Sequence, residues 1–258
     1  MIKIIASDLD GTLLNEKSVI SEETQEMIRK SQKAGIRWII ATGRSMKTAG
    51  NLVKQAGIRC DYVLLNGAEF RKNDGTLICQ KSISKVVAEK IIQMLFQKEL
   101  NFELNTNKGD FSTDCELCNT AKPITKEELK QKDLDIQKIF VFSDYEKELE
   151  SIKPYIYETT DITITSSASW NIEITGKYAD KGNMLKTAID YYGIDKEEIL
   201  VFGDGENDKV MFERFPHSRA MGNASEELKR IAEKVIETNK DCGVAKELKR
   251  LLSREGIQ

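Results

Sequence analysis

Short apolar runs alternate with helical segments through the first 66 residues of the chain. The runs cover residues 2–7, 38–41 and 62–65, and each is nearly continuous, as expected for a strand buried on both faces of a parallel sheet. Ser21 and Ser45 can each cap the start of an intervening helix. Gly35 and Gly57 stand where those helices should end. An order of strand, helix, strand, helix, strand predicts an α/β protein with a doubly wound, Rossmann-like parallel sheet.

The alternation stops after residue 66 and resumes near residue 180. Asn73, Asp74 and Gly75 first predict a hairpin within residues 69–79. The stretch that follows gives helices at 84–98 and 146–156 and strands near 101–105, 136–142, 161–165 and 171–175. A helix over 181–192 and a strand over 199–202 then restore the first pattern. The predicted domains are a core of residues 1–81 and 180–258 and an inserted α+β domain of residues 82–179.

Positive and negative charges are nearly balanced and are interspersed along the chain. There are 39 Lys and Arg against 42 Asp and Glu, a formal net charge of -3. Such a pattern does not provide a polyanion-binding surface, so we expect neither nucleic acid nor an anionic membrane as a partner. No apolar run approaches the roughly 20 residues that span a bilayer, and the first residues lead into a strand rather than a signal peptide. We expect a cytoplasmic protein that is a monomer or a weak homodimer.

Cysteine and histidine are used sparingly. The five cysteines are an odd, scattered set, which favours reduced thiols over a disulfide framework. Cys115 and Cys118 have C-x-x-C spacing, but no second pair or nearby histidine completes a zinc site, so a chance pair is the preferred interpretation. The only histidine, His217, lies away from every glycine-rich segment. We therefore expect no catalytic histidine.

Polar residues follow the ends of the predicted parallel strands. Asp8 and Asp10 follow the first strand, Thr42 and Gly43 the second, and Asp204 the strand near residue 202. The carboxyl ends of such strands line the ligand crevice of an open α/β sheet. Residues that are far apart in the sequence are therefore expected to converge there.

The pair Asp8 and Asp10 suits phosphoryl transfer. A carboxylate can attack phosphorus, but its charge repels a phosphate dianion, so the site needs a divalent cation and fixed positive charges. Asp204 and Asp208 would join Asp8 in an acidic pocket, and oxygen ligands beside a phosphate point to Mg²⁺. Alone, the pair Asp8 and Asp10 also fits a solvated turn. The segment 203–208 alone also fits a flexible acidic loop or a calcium turn, although it lacks the regularly spaced oxygen ligands of an EF-hand.

Two further features could contact a phosphate. Thr42 and Gly43 bring a hydroxyl and backbone N–H groups to the mouth of a helix, although helix capping alone also explains them. Lys181, at the start of a later helix, could neutralise both a carboxylate nucleophile and a phosphate. A lysine chosen at random is more often a surface charge, so its assignment depends on the whole set.

The order of these segments resembles the four motifs of the haloacid dehalogenase-like superfamily. The segments are Asp8-Leu9-Asp10-Gly11-Thr12, Thr42-Gly43-Arg44, Lys181-Gly182-Asn183 and Gly203-Asp204-Gly205-Glu206-Asn207-Asp208. The insertion between the second and third resembles the large α/β (type C2) cap of the Cof-like phosphatases. Asn66-Gly67-Ala68 and Met221-Gly222-Asn223-Ala224 are also similar to that subgroup.

The resemblance implies a role for each matching residue. Asp8 would be the nucleophile and a metal ligand, and Asp10 would coordinate through its backbone carbonyl and act as general acid and base. Asp204 would be the third protein contact to the metal, and Asp208 would orient the metal shell or Lys181. The implied sets are catalytic Asp8, Asp10, Thr42 and Lys181; substrate-binding Thr42, Gly43, Arg44, Lys181 and Asn207; and metal-binding Asp8, Asp10, Asp204 and Asp208.

The resemblance and the residues together predict a Mg²⁺-dependent phosphatase. It would hydrolyse a small phosphorylated metabolite, such as a sugar phosphate or a cofactor phosphate, through an aspartyl-phosphate intermediate. Arg44 and Asn66 are candidates for contacts with the leaving group. A phosphomutase, which uses similar chemistry, and a phosphate-metabolite sensor without turnover remain as alternatives.

Overall fold

A computed structural model describes residues 1–114 and 121–254, so the pair Cys115 and Cys118 lies outside the described residues. The chain divides into two compact units. Met1–Cys79 and Lys181–Gln258 form the first, which we call the core unit. Gln80–Asp180 form the second, which we call the inserted unit.

The described residues form strands and helices throughout both units. The strands are β1 (Ile4–Ser7), β2 (Arg37–Ala41), β3 (Asp61–Leu64), β4 (Glu69–Arg71), β5 (Leu77–Gln80), β6 (Asn101–Thr106), β7 (Gly109–Ser112), β8 (Lys122–Pro123), β9 (Ile136–Phe142), β10 (Ile162–Thr165), β11 (Asn171–Gly176), β12 (Ile199–Gly203), β13 (His217–Ala220) and β14 (Lys234–Val235). The helices are α1 (Glu22–Lys33), α2 (Met46–Gln55), α3 (Lys85–Gln97), α4 (Lys126–Gln131), α5 (Glu146–Glu158), α6 (Lys181–Tyr192), α7 (Lys209–Arg214), α8 (Glu226–Ile231) and α9 (Gly243–Arg254).

The core sheet has the strand order β14-β13-β12-β1-β2-β3-β4-β5. β1 lies near its centre and pairs in parallel with both β12 and β2, so that Ile4 is opposite Ile199 on one side and Arg37 on the other. Every residue of β1 and β12 is buried, which explains their continuous apolar sequences. The predicted doubly wound α/β core is confirmed.

Local sequence signals set most element boundaries in the core unit. The side chain of Ser21 accepts a hydrogen bond from Thr24 N and so caps α1 as predicted. β1 begins at Ile4, two residues later than predicted, at the point where its register with Ile199 of β12 begins. The predicted hairpin is present as β4 and β5, and Gly75 takes the positive φ of its turn.

The inserted unit is a second, mostly antiparallel sheet with helices packed against it. Its strand order is β10-β11-β9-β6-β7-β8. Its hydrophobic core joins α3 and α5 to alternate residues of the central strands, including Phe102, Ile139 and Ile174. Lys138 and Glu173 also lie on adjacent strands of this sheet and form a buried ion pair. This α+β arrangement agrees with the predicted fold class.

Some elements were not predicted from the sequence. β7, β8 and α4 in the inserted unit and β13 in the core unit are short, and β13 alternates between half-buried and buried residues. Short polar strands of this kind lack the apolar run that identifies a buried strand.

None of the helices within 1–114 and 121–254 combines the length and hydropathy needed to cross a membrane.

Candidate active site

Asp8 directly follows β1 and opens a tight turn at the carboxyl edge of the core sheet. Its side chain is 8% exposed. Gly11, within the turn, has φ of 78°. A Cβ at this position would lie 2.1 Å from Asp204 Oδ2, so the turn requires glycine both for its backbone angle and for its closeness to the neighbouring loop. The turn thereby brings Asp8 and Asp204 to one place.

Lys181 is the first residue of α6 and is completely buried. Its Nζ lies 2.6 Å from Asp8 Oδ1 and 2.7 Å from Asp208 Oδ1. A buried ammonium group is stable only when it is paired, and here two carboxylates pair with it. The predicted residues Asp8, Lys181 and Asp208 therefore meet, although they come from three separate segments of the chain.

The loop after β12 folds back on itself through Asp208. Asp208 Oδ2 accepts hydrogen bonds from the backbone N–H groups of Asp204, at 2.9 Å, and Gly205, at 3.0 Å. A Cβ at Gly203 would lie 2.6 Å from Asp208 Cγ, so a side chain there would displace this carboxylate. Asp208 thus fixes both the loop that carries Asp204 and the ammonium group of Lys181.

Three carboxylates form a cluster that could hold a metal ion. Oxygen atoms of Asp8, Asp204 and Asp208 all lie within 4.8 Å of one another. A set of oxygen donors around concentrated negative charge fits a hard divalent cation. The side chain of Asp10, the fourth residue of the predicted metal set, is not in this cluster.

Asp10 is instead paired with Arg44. Arg44 Nε and Nη2 donate to the two carboxylate oxygens of Asp10 at 2.7 and 2.6 Å. The side chain of Asp10 is 53% exposed, in contrast to that of Asp8. The two aspartates of one motif therefore have different environments, one buried beside an ammonium group and the other open to solvent.

Thr42 and Gly43 lie in the turn between β2 and α2. Thr42 is buried, and its Oγ1 accepts a hydrogen bond from the backbone N–H of Arg44 at 3.2 Å. Asn207, in the loop after β12, donates through Nδ2 to Asn66 Oδ1 at 3.1 Å. The predicted substrate-binding residues thus follow β2 and β12, the two strands that flank β1 in the core sheet, except Lys181, which is the first residue of α6.

Thr12 and Asn223 contact Asp204, and sequence reasoning gave neither of them a role. Thr12 Oγ1 donates to Asp204 Oδ1 at 2.6 Å. Asn223 Nδ2 donates to the carbonyl oxygen of Gly11 at 2.9 Å and lies 3.5 Å from Asp204 Oδ2. Two usable signals were the position of Thr12 within the first motif and the place of Asn223 in the segment 221–224, which resembles the Cof-like subgroup.

Burial and crowding change the proton affinities of the cluster. Burial, and then the charges of Asp208 and Asp204, raise the pKa of Asp8 above its usual value, against the opposing effect of Lys181. Burial raises the pKa of Asp204 to about 6, and the hydrogen bond from Thr12 partly offsets this. For Lys181, burial lowers the pKa, but the charges of Asp208 and Asp8 outweigh it and leave the pKa raised. Asp8 and Asp204 therefore bind protons more readily than isolated aspartates do, as expected for carboxylates crowded together in a buried site.

The fold and the site place this chain in a known family. The family model described as haloacid dehalogenase-like hydrolase matches residues 5–248. The chain belongs to the haloacid dehalogenase-like hydrolases. Within that superfamily it is a Cof-like phosphatase, and the curated relatives that it matches over nearly its whole length are named phosphatases.

Two of these relatives come from Bacillus subtilis. Phosphatase YwpJ is 32% identical, and the match covers 97% of this chain and 100% of the relative. 5-amino-6-(5-phospho-D-ribitylamino)uracil phosphatase YwtE is 30% identical, and the match covers 98% of this chain and 99% of the relative. The predicted family and enzyme class are confirmed.

Solved structures have the same fold. A haloacid dehalogenase-like hydrolase from B. subtilis superposes with a TM-score of 0.89 at 29% identity, covering 97% of this chain and 100% of that one. The protein TM0651 from Thermotoga maritima gives a TM-score of 0.85 at 28% identity, covering 97% of each chain. Such high scores over almost the whole length extend the likeness to both units.

Proposed function

We propose that this protein is a Mg²⁺-dependent phosphomonoesterase that transfers the phosphoryl group of a small metabolite to Asp8 and then to water. The observation that carries the proposal is the contact of Lys181 Nζ with Asp8 Oδ1, next to Asp204 and Asp208. In this contact a buried carboxylate lies beside a fixed positive charge and a cluster of carboxylate oxygens that could hold a cation. Those are the requirements for a carboxylate to attack an anionic phosphate.

Asp8, Asp204 and Asp208 are the residues whose side chains would hold Mg²⁺. When bound, the ion supplies positive charge that offsets the repulsion between the carboxylates and the phosphate. Three carboxylates against one lysine leave a negative charge that a divalent ion would neutralise. The oxygen-only donor set favours Mg²⁺ over softer metals.

Asp10 is proposed to move the protons. An oxygen of Asp8 attacks phosphorus, the bond from phosphorus to the ester oxygen breaks, and Asp10 donates a proton to that oxygen. Asp10 then takes a proton from water, the water oxygen attacks phosphorus, and inorganic phosphate leaves while the Asp8 carboxylate is restored. The solvent-exposed position of Asp10 supports this role, because its proton can exchange between the two steps.

Phosphate contacts are proposed for Thr42, the Gly43 amide, Lys181 and Asn207, with Arg44 as a further substrate contact. Positioning and charge neutralisation provide most of the catalysis in phosphoryl transfer. Lys181 needs no rearrangement for this task, since its ammonium group already lies at Asp8. Arg44 would have to exchange its contact with Asp10 for one with the substrate.

The substrate is proposed to be a phosphate ester of a polyhydroxylated metabolite. Three of the B. subtilis relatives are named as phosphatases of 5-amino-6-(5-phospho-D-ribitylamino)uracil, and they are 27 to 30% identical to this chain. That compound carries its phosphate on a ribityl chain, which is chemically close to a sugar phosphate. Ribityl phosphates and sugar phosphates therefore both belong in the first substrate panel. The cytoplasmic localisation of the protein stays a prediction.

Phosphate release measures the proposed activity directly. The purified protein should release inorganic phosphate from p-nitrophenyl phosphate with Mg²⁺, stop when EDTA is added, and recover when Mg²⁺ is restored. Asp8→Asn should be inactive, while Asp190→Asn, which changes an exposed aspartate on α6, should match the parent. A parent protein that releases no phosphate from this ester or from any member of the metabolite panel would refute the proposal.

A further inference from the structure

The turn after β3 has an unusual backbone. Leu65, Asn66 and Gly67 take φ values of 53°, 53° and 94° in succession. The left-handed region suits glycine and is tolerated by asparagine, but leucine adopts it rarely. All three residues are buried. A strained segment of this kind persists only where the surrounding structure holds it in place.

The turn is fastened to the loop that carries Thr42 and Arg44. The backbone N–H of Leu65 donates to the carbonyl oxygen of Arg44, and that of Asn66 donates to the carbonyl oxygen of Thr42, both at 3.1 Å. Helix α6, which begins with Lys181, packs against the same turn. The strained backbone is therefore fixed to two segments of the candidate active site.

The side chain of Asn66 is held rigidly at the end of this turn. Asn66 is 1% exposed, and its Oδ1 accepts a hydrogen bond from Asn207 Nδ2 at 3.1 Å. An amide NH₂ group is planar and has two N–H bonds in fixed directions. When one N–H of Asn207 is bound to Asn66, the direction of the other is set as well.

We propose that Asn66 is a positioning residue: it orients the amide of Asn207 so that the second N–H is aimed at an oxygen of the transferring phosphoryl group. This inference rests on the proposed function, in which Asn207 holds such an oxygen. Asn66 then acts through Asn207 rather than on the leaving group. The strain at Leu65 and Asn66 serves to place this one acceptor atom.

Without Asn66, the side chain of Asn207 must be ordered each time a substrate binds. Immobilising one flexible side chain changes a rate or affinity by roughly two- to tenfold. Asn66→Gly removes the side chain and keeps a residue that tolerates positive φ, so the turn should survive. We expect it to lower kcat for p-nitrophenyl phosphate by roughly two- to tenfold, with KM changed much less.

A double-mutant cycle tests whether Asn66 affects kcat through Asn207. Asn66→Gly, Asn207→Ala and the double variant are compared with the parent for kcat and KM, and thermal melting of each protein confirms that it is folded. In the Asn207→Ala background, Asn66→Gly should have almost no further effect on kcat, since the group that it positions is gone. A purely structural role would instead lower kcat in both backgrounds.

Asn66→Ala separates backbone strain from positioning. Alanine also lacks the amide but tolerates positive φ poorly, so its melting temperature should fall below that of Asn66→Gly while kcat falls equally. Losses at Asn66 and Asn207 that simply add would overturn the positioning role while leaving the phosphatase proposal intact. A parent protein without Mg²⁺-dependent phosphate release would overturn both.

Discussion

Thr12 Oγ1 donates a hydrogen bond to Asp204 Oδ1 over 2.6 Å, although the two residues are 192 positions apart in the sequence. The contact is possible because β1 and β12 are parallel neighbours, so the loops that follow them emerge side by side. It ties the turn that carries Asp8 to the loop that carries Asp204. Two parts of the candidate metal cluster are thus held together by a neutral hydroxyl.

Thr12→Val should weaken Mg²⁺ binding. Valine keeps the shape of threonine and removes the hydroxyl whose hydrogen bond lowers the pKa of Asp204. A net loss of about 1 kcal/mol corresponds to roughly fivefold weaker binding near neutral pH. Isothermal titration with Mg²⁺ measures this, and Thr12→Ser, which keeps the hydroxyl, should bind nearly as the parent does. Equal affinity in Thr12→Val and the parent would contradict the role given to this bond.

Asp8→Asn should abolish turnover and leave the fold intact. The change removes the attacking carboxylate at constant shape, and Lys181 keeps its contact with Asp208. We expect kcat to fall by more than about a thousandfold, with a melting temperature close to that of the parent because one of the crowded carboxylates is gone. Steady-state kinetics and calorimetry check both statements. Substantial residual turnover would exclude Asp8 as the nucleophile.

Lys181→Met should destabilise the protein even without substrate. The change leaves Asp8 and Asp208 buried without their ammonium partner, and breaking such a buried pair typically lowers the free energy of unfolding by about 3 to 5 kcal/mol. Mg²⁺ should restore part of the loss by neutralising the same carboxylates.

Denaturant unfolding with and without Mg²⁺ provides the measurement for Lys181→Met. Lys186→Met is the matched control on the same helix, because Lys186 pairs with Asp190 at an exposed i, i+4 position and should contribute less than about 0.5 kcal/mol. Equal losses in the two variants would contradict the buried charge cluster.

Mg²⁺ should stabilise the protein more strongly as pH rises from about 5 to about 7. The pKa of Asp204 is about 6 in the folded protein and 3.8 ordinarily, so between these values the folded state keeps a proton that the unfolded state has released. Without metal, this group therefore contributes less to the stability of the fold as pH rises. Bound metal requires the ionised carboxylate and reverses that trend.

The expected change in Mg²⁺ affinity is about tenfold per pH unit below about pH 6, for each proton released. Melting temperatures recorded with Mg²⁺ and with EDTA across this range give the result. Asp204→Asn, which cannot titrate at this position, should flatten the pH dependence. A pH dependence as steep in Asp204→Asn as in the parent would assign the titration to another group.

The sequence was sufficient to predict the parts of the fold that depend on buried apolar runs. β1 and β12 are buried along their whole length, and their continuous apolar sequences are typical of strands covered on both faces. The convergence of Asp8 and Asp204 was predicted because both residues follow the carboxyl ends of parallel strands. The prediction of Lys181 as a site residue also depended on the order of the motifs, since the sequence around a single lysine does not indicate whether it is buried.

Other contacts could not be predicted, because they depend on rotamers or on backbone angles. The pairing of Arg44 with Asp10 requires a particular conformation of a long side chain. The contact of Asn66 with Asn207 requires the left-handed turn, for which an Asn-Gly pair is only a weak signal. β13 was not predicted because its alternating polar sequence is short, so the segment 221–224 was noted only for its resemblance to the subgroup and not for its contact with Asp204.

The pairing of β1 with β12 has a consequence for biosynthesis. The two strands are adjacent in the sheet, yet β1 ends at Ser7 and β12 ends at Gly203. At a translation rate of about 5 to 20 residues per second, β12 is synthesised about 10 to 40 seconds after β1. One edge of β1 is unpaired during that time. Throughout that interval the nascent chain carries an apolar strand edge open to other polypeptides, which makes it a natural client for chaperones that bind such segments.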